Sequence, residues 1–179
     1  IVTRQHPQGH FTMGVYLVDI YCKGLLHSEY FFNMNHDDYE MMVKRIDMDE
    51  DLKKAAYADA HKLVYGAIDF AEAVGIDSED SFDITKYILD EKKEEIPFAE
   101  FGRNGKHYLR ADTDEEAELY IPIIMEAIGT DFTYSIEGVT DGEVDAAEVP
   151  FGDFDFSELN YDEEEFDKMF EKLNRESQD

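Results

Sequence analysis

Cys22 is the only cysteine in the chain. An internal disulfide or a Cys-rich zinc module is therefore excluded, and the usage fits a reducing compartment, so a cytoplasmic protein is expected. Long apolar runs are missing as well. Runs such as residues 14–18 are far too short to cross a bilayer, and a transmembrane protein is not expected. Basic residues are few: 16 Lys and Arg stand against 44 Asp and Glu, for a net charge of −28 and a pI near 4.3. Such a field repels duplexes and membrane surfaces, so neither nucleic acid nor membrane is expected as a partner. Local basic patches at Lys53, Lys54 and Lys62, or at Arg103, Lys106 and Arg110, are the places that would offset it. Several motifs are absent too: a phosphate-binding Gly-x-x-x-x-Gly-Lys loop, a Gly-x-Ser-x-Gly elbow and a His-x-x-x-His pair on a helix, since the four-residue spacing of His6 and His10 spans a Pro-Gly turn. The chain opens on Ile rather than Met, so the true N-terminus is expected upstream, and whether a leader preceded Ile1 stays open.

Aromatic and aliphatic residues are plentiful. Apolar types make up 43% and aromatics 13%, enough for a packed core. Charge is unevenly spread. Residues 1–34 hold Asp19, Glu29, Arg4 and Lys23 and are neutral, while residues 140–179 hold 15 acids and 3 bases. The neutral start reads as core. The acidic end reads as an extension, serving either solubility or a basic partner. The expected organisation is a body over 1–137 and an acidic-aromatic extension over 138–179.

Within the body, His6-Pro7-Gln8-Gly9-His10 carries the chemistry of a hairpin loop with a bulge. The stretch 11–22 is apolar at both parities, which predicts a central strand covered on both faces. A third strand over 25–34 alternates. Leu26, Ser28, Tyr30, Phe32 and Met34 share one face, and a wetter one carries His27, Glu29 and Asn33. Asp37 and Asp38 are expected to cap a helix. A longer helix is expected from about residues 49–51, burying the small-residue stripe Leu52, Ala56, Ala60, Leu63, Ala67, Ala71 and Val74 and stopping at Gly75. A short helix over 83–89 follows. Asn104-Gly105 predicts a second hairpin, with Phe101 opposite Tyr108. Thr113 and Glu116 form a capping box for a helix reaching Gly129 that contains Pro122, where a kink is expected. A short strand follows near 132–136, and an amphipathic helix is expected over 161–173. The fold class is α+β: a mostly antiparallel sheet of about five short strands, shared by both hairpins, with about four helices and an acidic C-terminal helix.

Three residues are candidates for catalysis: Asp19, Cys22 and His27. Asp19 near the end of an apolar strand is either a bond-maker for loop amides or a site residue, the former being commoner. Cys22 alone is more often a small core side chain than a nucleophile. His36 and Asp37 form a weak metal-binding edge with an incomplete ligand set, so no metal and no cofactor is assigned. Asp47, Asp49 and Asp51, like Asp141 and Asp145, lack the glycine and distal Glu of a calcium loop. With carboxylates this abundant, any pair is uninformative about acid–base catalysis. An enzyme is therefore not favoured. The leading expectation is an interaction protein for a basic partner, anchored by Phe154, Phe156, Tyr161, Phe166 and Phe170. These aromatics could equally pack back on the body as its last helix. The alternative is a small metal-dependent hydrolase or nuclease-like enzyme centred on Asp19, His27, His36 and Asp37.

Residues 14–24, Gly-Val-Tyr-Leu-Val-Asp-Ile-Tyr-Cys-Lys-Gly, resemble a GxFLVDxxCLGV signature in an uncharacterised bacterial protein family. Residues 61–71 with Gly75, and residues 82–89, are similar to the same family's YGAxxFA-bearing helical stretch. The resemblance covers about residues 10–110. Some relatives carry small SEC-C metal-binding tails. This chain lacks their cysteines and ends in acidic sequence, so the resemblance brings no zinc. It implies no activity, and it marks Asp19, Cys22, Gly24, Tyr65 and Gly66 as positions of interest.

Overall fold

The neutral opening segment does form the interior. In a computed structural model describing residues 1–50, 52–90, 100–137 and 144–145, Met13 and Cys22 are wholly buried, and Val2, Phe11 and Leu25 nearly so. All the described residues belong to one unit, Ile1–Glu148.

Strands β1 (Val2–Gln5), β2 (Phe11–Asp19) and β3 (Gly24–Met34) form an antiparallel sheet in the order β1-β2-β3, with β2 central as its composition predicts. The first loop closes as expected: Gly9 has φ +85°, and its amide donates to His6 O at 2.9 Å. Burial on β2 fades toward its end, so Leu17 is 60% exposed rather than covered. On β3 the predicted alternation fails. Pairing slips between Leu17 and Val18, leaving Leu26 without a partner, and again between Phe11 and Met13, where Asn33 takes φ +54°. Each slip breaks the two-residue period. Leu25, beyond the first slip, is buried, while on the face expected to be drier Ser28 is buried but Tyr30 and Phe32 are 41% and 60% exposed.

Helix α1 (His36–Glu50) runs into the stretch where the second helix was expected to begin. Its cap is Asn35, whose Oδ1 accepts from Asp38 N at 2.9 Å while its Nδ2 donates to the Asp38 carboxylate. Asp47 Oδ1 accepts from Leu52 N, a donor that would otherwise extend the helix. Helix α2 (Tyr57–Glu72) thus begins later than predicted. Its buried face is Val64, Ala67, Ile68, Phe70 and Ala71, and Leu63 points outward. The small residues serve close approach, since a Cβ on Gly24 would lie 2.7 Å from Ala71 Cβ and 3.1 Å from Ala67 O. Gly75 ends α2 at φ +81°, and Ile76 N reaches back to Ala71 O. Helix α3 (Phe82–Leu89) lies across all three strands. Its Phe82, Ile88 and Leu89 join Val2, Leu25, Val64 and Ile68 in one core cluster.

The two hairpins do not share one sheet. Asn104 (φ +54°) and Gly105 (φ +79°) make the predicted turn and Arg103 bridges Lys106, but the arms then diverge. Phe101 packs on Phe70 rather than opposite Tyr108. Tyr108 opens β4 (Tyr108–Ala111), which pairs in parallel with β5 (Thr133–Ile136) through the crossover helix α4 (Asp114–Ile128). A helix between two strands returns the chain to its starting end, which makes the pair parallel. Antiparallel β6 (Val144–Asp145) completes a second three-stranded sheet. The fold is α+β, with four helices among the described residues. Thr113 caps α4 through Glu116 N as predicted, and α4 runs through Pro122 as one helix. Two hydrogen bonds join the sheets: Gly102 N donates to Ile20 O, and Tyr108 N donates to Tyr21 O. Lys23 reinforces this junction through Glu116 at 2.6 Å, both side chains being mostly buried. The expected extension 138–179 and its helix lie outside the described residues, apart from β6.

Candidate functional site

Asp19 ends β2, and its Oδ1 accepts hydrogen bonds from the amides of Tyr21 (2.5 Å) and Cys22 (3.1 Å). The carboxylate therefore holds the β2–β3 turn, the bond-making role foreseen for it. Cys22 follows in that turn, wholly buried. Burial, and then the negative Asp19, push its thiol up to about 12 against the opposing pull of Lys23. A thiol that stays protonated at neutral pH is a poor nucleophile. Among the positions marked by the resemblance, Tyr65 donates to Asp90 O at 2.8 Å with its ring edge-on to Phe82, and Gly66 is buried on α2.

His27 lies in mid-β3 and anchors a polar network. Its Nδ1 is 3.1–3.2 Å from both Glu79 oxygens, and its Nε2 is 3.4 Å from Glu29. Burial works against the charged ring, but the hydrogen bonds and charges of Glu79 and Glu29 outweigh it and raise the pKa. Glu79 also accepts from Ser28 N at 3.2 Å and from Ser81 Oγ at 2.7 Å. Buried Ser28 Oγ shares hydrogen bonds with Ser81 Oγ and Thr85 Oγ1, both at 2.8 Å. Tyr16 Oη donates to Thr85 O, and burial raises its pKa. Both nitrogens of His27 thus face carboxylates, and the Ser28 hydroxyl faces only other hydroxyls. The network pins the loop before α3 onto β3, with the Glu79 carboxylate as its hub.

His36 and Asp37 sit at the opposite end of the sheet. His36 stands 6.0 Å edge-on to Phe11 and 3.7 Å from Glu40, and Asp37 is exposed on the first turn of α1. Phe11 and Asp19 are separated by the whole of β2, roughly 26 Å at the rise of a strand. Asp19, His27, His36 and Asp37 are not brought together. Among the described residues no three His, Cys, Asp or Glu side chains group as metal ligands. Of the cations in the foreseen patches, Lys62 is paired with Glu100 and Lys106 with Asp131, while the Arg103 guanidinium lies 3.7 Å from the Tyr108 ring centroid.

What the sequence reading missed is the far half of β3. The rings of Tyr30 and Phe32 lie tilted at 46° with centroids 4.8 Å apart on an edge strand, and both are exposed. From Leu26 to Glu40 the chain has Glu29, Asp37, Asp38 and Glu40 and no Lys or Arg. Asn33 followed by a helix cap was the available signal of broken alternation. The anchors foreseen at Phe154, Phe156, Tyr161, Phe166 and Phe170 lie outside the described residues. No described helix is long and apolar enough to cross a membrane. Comparisons with protein families, with curated proteins and with solved structures find no match.

Proposed function

We propose that the protein is an interaction module for a basic protein partner. The observation that carries this reading is the exposed Tyr30–Phe32 pair, set in a stretch with four acids and no Lys or Arg. Carboxylates steer a cationic surface toward the pair, and the rings then supply buried area and cation–π contact. The foreseen anchors from Phe154 to Phe170 would add to the same attraction. The polar side chains beside the pair are engaged with one another, which supports binding rather than turnover.

Poly-lysine titrated into the full chain by calorimetry tests the reading, with poly-glutamate as control. Binding to poly-lysine alone is expected, weakening as salt rises. The double substitution Tyr30→Ala, Phe32→Ala should weaken it about tenfold. Equal binding by the variant would reduce the interaction to undirected charge and remove the site; no binding at all would remove the proposed function.

A further inference from the structure

The outer edge of β3 has a specific hydrogen-bonding geometry. Among the described residues β3 pairs only with β2. The Ser28 amide nevertheless has a partner, the Glu79 carboxylate, so it points away from β2. In an antiparallel ladder, residues two apart share a direction. Ser28 faces Tyr16 and Tyr30 faces Gly14 in continuous register, so the Tyr30 amide and carbonyl also point outward. No described backbone group bonds to them. Glu79 thus covers the edge at Ser28 and stops there. Beyond it the strand offers a main-chain donor and acceptor at Tyr30, flanked by the exposed rings of Tyr30 and Phe32. Glu29 precedes Tyr30 on the strand, and Asp37 and Asp38 follow on the first turn of α1.

We propose that this edge binds its partner by strand addition: an extended, basic peptide segment pairs with β3 alongside Tyr30 and Phe32. This rests on the basic-partner reading and adds the mode of recognition. Main-chain bonds supply register, while alternate side chains meet the rings and the acids. A helix or a preformed globular surface would not satisfy the outward groups of Tyr30. A cationic strand does so and brings the complementary charge.

The probe is the peptide Lys-Val-Lys-Val-Lys-Val-Lys-Val, compared with its fully N-methylated form, which keeps every side chain and charge but lacks amide donors. Both are titrated into the full chain, with exchange of the Tyr30 amide followed by NMR. Strand addition predicts binding of the first peptide, slowed Tyr30 exchange and at least about tenfold weaker binding of the methylated form. Equal binding of both with Tyr30 exchange unchanged overturns strand addition and leaves the basic-partner reading standing. Loss on methylation without any change at Tyr30 overturns this edge as the place. If neither peptide binds while poly-lysine does, strand addition falls alone; if none of the three binds, both readings fall.

Discussion

Gly24 is the residue on which the packing of the first sheet turns. Its φ of +74° lies where a side chain is strained, and an added methyl would meet Ala71 Cβ at 2.7 Å and the Ala67 carbonyl oxygen. Neither neighbour is the free end of a long side chain, so the contact is relieved only by moving α2. Gly24→Ala is expected to cost about 3 kcal/mol, read as a lower urea midpoint with an unchanged slope. Gly14 has another reason to lack a side chain: the Tyr16 ring folds over it on the way to Thr85. Single residues were legible in the sequence where chemistry alone decides. The roles of Asp19 and Cys22 followed from an acid at a strand end and an isolated thiol. The exposure of Leu17, Tyr30 and Phe32 did not, because it depends on where neighbouring elements stop covering the sheet.

At the scale of elements, the Asn104-Gly105 turn was readable because both positions demand positive φ, and both adopt it. Proline at residue 104 is held near φ −65° and cannot enter that region. Asn104→Pro should therefore lower stability by upward of about 2 kcal/mol; an unchanged melting temperature would show that the turn contributes nothing. Local signals placed the turns, the capping box of α4, the Gly75 stop and the order of the first three strands. The pairing of β4 with β5 escaped them, since it depends on contacts across α4 rather than on any residue near the turn. The end of α1 escaped for a subtler reason: the Asp47 side chain competes with the backbone for one amide, and such competition leaves no periodic trace. Of the candidate site, acidic charge and aromatic content were visible beforehand. Its location was not, because Ser28 and Tyr30 follow one another in continuous register and differ only in where the cover over β3 stops.

For the whole molecule, two histidines give stability opposite dependences on pH. His107 is buried, stacked on Phe70 at 3.8 Å, and hydrogen-bonded to Phe70 O; burial lowers its pKa despite that bond. Its contribution is complete above the ordinary imidazole value of 6.5 and is lost as pH falls through the folded value. His27, raised by Glu79 and Glu29 in spite of burial, contributes fully below 6.5 and loses that contribution as pH rises through its folded value. Unfolding free energies measured across this range should fall on both sides. His107→Gln should flatten the acid limb and His27→Gln the other, and the reverse assignment would contradict both placements. The bonds from Gly102 and Tyr108 to the carbonyls of Ile20 and Tyr21 carry a consequence for assembly. β1, β2 and β3 are linked by short connections and can zip up from local contacts, whereas β4 and β5 must wait for α4 to close a long loop between them. The β2–β3 turn would then be the template on which the later sheet takes its register, with the chain maturing from its N-terminal side toward α4.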